Sequence, residues 1–201
     1  MFQEKVQKRL ELLDVGSNPS QFVEISDKEF HLLEAGTGKA DLQLILNSPS
    51  VLFKFLEKKG LPYFKNKKCA DYVLFENMND EWFVHIFELK RTVASDRWQH
   101  IKLQFSGALQ NAYALAGVLG IKIDLDKVKA YTVYRNDKLN DASNPVKLRY
   151  GINTKGDSTG SLEQKEWNSD TVEIDFTERV ILEHCKVQLD IETGAGQCRL
   201  A

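Results

Sequence analysis

The sequence predicts an α/β domain built on a central mixed sheet flanked by helices. Three observations carry that prediction. Residues 69–75 and 81–92 are strand-like runs joined by the turn residues Asn77-Met78-Asn79-Asp80. Residues 97–119 place Trp98, Ile101, Phe105, Ala108, Ala112, Leu115 and Leu119 on one helical face. A further β-rich run, Lys-Ala-Tyr-Thr-Val-Tyr-Arg, follows at 129–135.

The remaining elements are read from the same signals. Phe2, Val6, Leu10 and Leu13 recur at three- and four-residue steps, which predicts an amphipathic helix over 1–13. Residues 21–25 and 28–34 resemble short strands around Ser26-Asp27. Gly36-Thr37-Gly38-Lys39 is a loop that lacks the glycine spacing and the following Ser or Thr of a phosphate loop. Ser48-Pro49 predicts a helix start and Gly60 its stop, with Val51, Leu52, Phe55 and Leu56 as the apolar face. Ser95 or Asp96 is the expected cap of the long helix. Residues 136–170 read as a polar loop or small hairpin, 171–176 as a strand and 177–189 as either a helix or a strand. The last residues, from Thr193, read as a loose tail.

At 201 residues the chain fits a single domain, spanning 1–201. A hydrophobic share of 42% and a charged share of 28% are those of an ordinary globular protein. A net charge of −2 argues against binding nucleic acid by bulk charge, but leaves room for a local basic patch. Cys69, Cys185 and Cys198 form no disulfide framework or metal knuckle, and no two of the four histidines have zinc-ligand spacing. The N-terminus lacks an apolar signal core and no run is long enough for a membrane span, so the expected location is a reducing cytoplasm.

Three Glu-x-Lys patterns occur: Glu57/Lys59, Glu88/Lys90 and Glu163/Lys165. Only Glu88 and Lys90 close a run that is apolar on both faces. Trp82, Val84, Ile86, Glu88 and Lys90 share one side of that strand. Charges there are costly unless paired or bound to metal. Folding the hairpin at residues 78–79 brings Asp71 opposite residue 86 or 87, one step from Glu88. Two neighbouring carboxylates suit a hard divalent cation, and Lys90 on the same face can reach a water or a phosphate oxygen. The plainer reading is a strand-end salt bridge in an unrelated α/β domain.

The run Lys68-Cys69-Ala70-Asp71-Tyr72-Val73-Leu74-Phe75, a hairpin, and then Phe87-Glu88-Leu89-Lys90 resembles the PD-(D/E)XK, or restriction-endonuclease-like, superfamily over about residues 50–135. Ala70 stands where the motif has Pro. Gln104, Gln110 and Tyr113 are similar to the Gln and Tyr that follow the motif in some nuclease branches, although Gln110 and Tyr113 are three apart rather than four. The resemblance implies a restriction-endonuclease-like sheet and Mg²⁺- or Mn²⁺-dependent hydrolysis of DNA. Asp71 and Glu88 would hold the metal, Lys90 would orient water, and a homodimer is plausible. An upstream acidic ligand is expected in many members; Glu57, Glu34 and Asp41 compete for it. The alternative is the same fold kept as an inactive binding or inhibitory module.

Lys54, Lys58, Lys59, Lys65, Lys67 and Lys68 precede Asp71 with only Glu57 opposing them. They form either a solvated face or a phosphate-tracking patch, with Lys65, Lys67 and Lys68 nearest the site and Lys102 at the start of the long helix. Tyr63 and Phe64 interleave with them and suit base stacking or core burial.

Overall fold

In a computed structural model the structure describes residues 4–11, 13, 22–25, 27–34, 40–55, 64–140 and 161–200. The elements are α1 (Glu4–Leu10), β1 (Phe22–Ile25), β2 (Glu29–Glu34), β3 (Ala40–Ile45), β4 (Ser50–Lys54), β5 (Tyr72–Met78), β6 (Glu81–Val93), α2 (Ser95–Leu119), β7 (Val128–Asp137), α3 (Leu162–Asn168), β8 (Thr171–Asp175), β9 (Arg179–Gln188) and β10 (Ala195–Arg199). The fold is mixed α/β. One sheet has seven strands in the order β1-β4-β5-β6-β7-β9-β8, and the other has three in the order β10-β3-β2.

The large sheet changes direction at its centre. β4, β5 and β6 are antiparallel neighbours; β7 runs parallel to β6, and β9 parallel to β7. A parallel neighbour requires a crossover, and α2 supplies it. The predicted helical face is confirmed: Trp98, Ile101, Phe105, Ala108, Ala112 and Leu119 are buried, and Leu115 packs against them. Together with α1 and Trp167 of α3 they cover the face that carries Val73, Phe75, Val84 and Ile86.

The opposite face carries Tyr72, Leu74, Phe87 and Leu89, and it packs on Leu32, Leu42 and Leu44 of the small sheet. The described helices therefore flank the large sheet on one side only, and a second sheet takes the other. β6 has apolar residues on both faces because both are covered.

Four sequence expectations are corrected. Residues 50–54 are a strand, not a helix: β4 is inserted between β1 and β5, and Ser50 to Phe53 are all buried. Pro49 precedes the strand, where its missing N–H costs no ladder bond, and its carbonyl accepts from Asn77 N at 3.3 Å. The C-terminal tail is β10, which pairs in parallel with β3 from Asp41 to Ile45. Within the presumed loop 136–170 lies α3, with the Ser161 side chain accepting from Gln164 N at its N-cap. Ala94, not Ser95 or Asp96, occupies the N-cap of α2 and gives no side-chain bond. Residues 177–189, left open between helix and strand, are mostly β9. Residues 36–39 lie outside the described residues. Among those described, no helix is long and apolar enough to cross a membrane.

Candidate active site

The β5–β6 hairpin positions the three predicted groups. Asn79 and Asp80 form its turn, both with positive φ, 53° and 66°. Two successive left-handed residues match the twist of a two-residue hairpin. The ladder runs from Met78↔Glu81 to Tyr72↔Phe87. One further step sets Asp71 opposite Glu88, and directly opposed side chains lie on the same side of a sheet. Both belong to the α2-covered face.

The contacts agree with this placement. Leu89 N donates to Asp71 Oδ2 at 2.8 Å, and Phe55 N donates to the Asp71 carbonyl at 3.0 Å. Lys90 Nζ is ion-paired with Glu88 Oε1. The Glu88 side chain is fully buried, and that of Lys90 is 13% exposed. Asp71, Glu88 and Lys90 are thus brought together at the hairpin.

The wall around them comes from α2 and β7. Gln104 is buried; its amide nitrogen donates weakly to the Cys69 carbonyl at 3.4 Å, and its backbone carbonyl accepts from Ala70 N at 3.1 Å. Buried Oε1 of Gln104 has no hydrogen-bond partner among the described residues. Gly107 lets the helix approach: a Cβ there would run into the carbonyl of Lys68. Burial, with the charge of Asp71 adding to it, pushes the Cys69 thiol well above its ordinary value, so it is no nucleophile.

Two neighbours escape a sequence reading. Thr132 of β7 stands beside Glu88 in the ladder and is fully buried. Its hydroxyl lies 2.9 Å from Nε2 of His184 on β9. Their only sequence signal is a polar residue in an alternating apolar series, Thr132 between Ala130 and Tyr134 and His184 after Val180 and Leu182.

No protein-family model, curated protein or solved structure matches this chain.

The other predicted residues are distributed as follows. Glu34 ends β2 in the small sheet, whose core lies against the opposite face from Glu88. Asp41 pairs with His31 at 2.6 Å, and Glu57 lies outside the described residues, as do Lys58, Lys59 and Tyr63. Glu34 and Asp41 both belong to the small sheet. Lys102 is ion-paired, donating to both carboxylate oxygens of Glu166, at 3.0 and 3.1 Å. Lys68 Nζ lies 3.1 Å from His100 Nδ1. Lys67 is exposed, whereas Lys65 and Gln110 line a separate groove with Tyr113.

A second buried polar group lies on the small-sheet face. Glu76 Oε1 accepts from Asn47 N and Ser48 N at 2.7 and 3.1 Å, and its Oε2 lies 3.2 Å from His85 Nε2. His85 Nδ1 is 3.1 Å from the Tyr131 hydroxyl. Burial opposes the Glu76 charge, yet the His85 and backbone hydrogen bonds outweigh it and hold the carboxyl below its usual range. This group ties the 47–48 turn to the sheet.

Proposed function

We propose that the protein is a Mg²⁺-dependent nuclease that hydrolyses phosphodiester bonds in DNA, with a restriction-endonuclease-like core. The observation that carries the reading is the convergence of Asp71, Glu88 and Lys90 on one face of the β5–β6 hairpin. The strand order supports it: an antiparallel β4-β5-β6 unit, a crossover helix, and β7 parallel to β6.

Asp71 and Glu88 fit a hard divalent ion. Mg²⁺ commonly takes one or two carboxylates and fills its shell with waters and substrate phosphate. Among the described residues, no group of three or more His, Cys, Asp or Glu can hold an ion, so water and phosphate oxygens would supply the remaining ligands. When bound, such an ion polarises the phosphate and lowers the pKa of a coordinated water.

The chain's own residues do the rest. Asp71 is held in place by the Leu89 amide. Lys90 offers a positive charge beside the Glu88 carboxylate, where it can orient the attacking water and offset charge developing on the phosphate. The Glu88–Lys90 pair is equally compatible with an inactive binding module, and the same assay separates the two.

The test is cleavage of plasmid and single-stranded DNA with Mg²⁺ or EDTA, comparing the wild type with Asp71→Asn and Lys90→Met, each checked for folding by circular dichroism. Cleavage that requires the metal and is lost in both folded variants supports the enzyme. DNA binding without cleavage in the wild type identifies the inactive module.

A further inference from the structure

Beside α2 lies a groove of about 480 Å³. Phe64, Tyr113 and Phe176 form its walls, which are almost entirely apolar, and Lys65 and Gln110 line it with them. The Tyr113 and Phe176 rings stack with centroids 5.2 Å apart and planes 28° from parallel. Phe64 and Tyr113 are only half-buried, so part of each residue stays at the surface, although Tyr113 also packs against the core.

We propose that this groove is a subsite for an unstacked nucleobase, and hence that the substrate strand is single-stranded DNA. This rests on the nuclease reading above and names the form of its substrate. The volume is that of a small-ligand site, about 300–1,000 Å³. Aromatic walls accept the π-face of any base, whereas bases inside a duplex keep their faces stacked on one another. The Gln110 amide carries both donor and acceptor capacity for a base edge.

Charge and position favour a nucleotide over another apolar occupant. The segment from Phe64 to Asp71 links the groove to the carboxylates. It carries Lys65, Lys67 and Lys68, with no acidic residue before Asp71. Lys65 lines the groove itself, and Lys67 and Lys68 are exposed. A base seated on the rings would therefore have Lys65 beside it, with Lys67 and Lys68 following along the chain toward Asp71. An uncharged apolar peptide would gain nothing from those lysines, whereas phosphates would.

The experiment is fluorescence-anisotropy binding of a labelled oligothymidine, and of a duplex of equal length, in EDTA so that cleavage plays no part. Wild type is compared with Tyr113→Ala, with Tyr113→Phe, which keeps the ring, and with Ala114→Trp, which fills the groove from α2. Melting curves confirm that each variant folds. Removing or blocking the stacking surface should weaken single-strand binding about 5- to 150-fold. Tyr113→Phe should bind as wild type does, and duplex binding should move far less. Unchanged single-strand affinity in Ala114→Trp, no single-strand binding by the wild type, or a shift of oligomeric state in place of affinity would each overturn the subsite. Metal-dependent cleavage lost in Lys90→Met would still stand in that case. Conversely, groove-dependent binding without any cleavage would retain the subsite and remove the nuclease.

Discussion

Asp71 Oδ2 accepts a hydrogen bond from Leu89 N at 2.8 Å, so the carboxylate of one strand is anchored to the backbone between Glu88 and Lys90 of the next. The bond separates the structural role of Asp71 from the metal-binding role proposed for it. Asp71→Asn keeps an oxygen for the Leu89 amide but loses the negative charge. It should melt close to the wild type while metal-dependent cleavage falls at least about 100-fold, because ligand charge contributes several kcal/mol. Asp71→Ala orphans the amide as well and should cost about 1–3 kcal/mol of stability. Melting curves and cleavage rates on both variants check this. Equal activity in Asp71→Asn would remove Asp71 from the proposed metal site.

Glu88 is fully buried and shares Oε1 with the Lys90 ammonium. Breaking such a pair from one side is more damaging than removing both charges. Lys90→Met should therefore lower stability by about 3–5 kcal/mol, and the double change Glu88→Gln with Lys90→Met should recover most of it. Denaturant midpoints of the two single variants and the double provide the cycle. Additive effects would mean that the two side chains do not interact.

Gly107 faces the carbonyl of Lys68, three residues before Asp71 and within the segment that Gln104 also contacts. Gly107→Ala forces α2 and this segment apart, although alanine favours a helix by about 1 kcal/mol. The clash should dominate and destabilise by about 1–3 kcal/mol. Because the displaced segment carries Asp71, cleavage should fall together with stability. A variant as stable as the wild type would show that the segment yields freely.

The central hairpin was legible because its aromatic and β-branched strands flank turn residues. Its register was not. A turn centred on residues 78–79 sets Asp71 opposite 86 or 87; the actual turn, Asn79-Asp80, moves the partner to Glu88. One residue of slip exchanges the two faces of a strand, so that step decides whether the carboxylates meet. β4 was hidden because a short apolar run fits a helix or a buried strand equally well, and strands on both sides settled it. β10 is small and polar, and its partner β3 lies far back in the chain. Lys102 looked available because Glu166, its partner, is 64 residues away. Residue type and period are local, whereas pairing is not.

His184 supplies the pH prediction. Trp98, Phe105 and Trp167 surround its ring, and Nε2 lies 2.9 Å from the Thr132 hydroxyl beside Glu88. Burial, assisted by the charge of Lys186, lowers its pKa to about 3. In the unfolded chain a histidine titrates near about 6.5. Between those values the unfolded state binds the proton and the folded state does not. Stability is therefore fully present above about pH 6.5 and falls as the pH drops toward 3, by up to about 1.4 kcal/mol per unit. His184→Leu removes that proton from both states. It leaves the Thr132 hydroxyl without its partner, an offset that does not depend on pH. Unfolding free energies from urea titrations between pH 7 and pH 5 should thus fall more steeply for the wild type, by about 1–2 kcal/mol over the range, and the two curves should converge on acidification. Parallel curves would mean that the ring takes up a proton in the folded state. The cation would then sit two strands from Glu88, across β7, with the Thr132 hydroxyl between them.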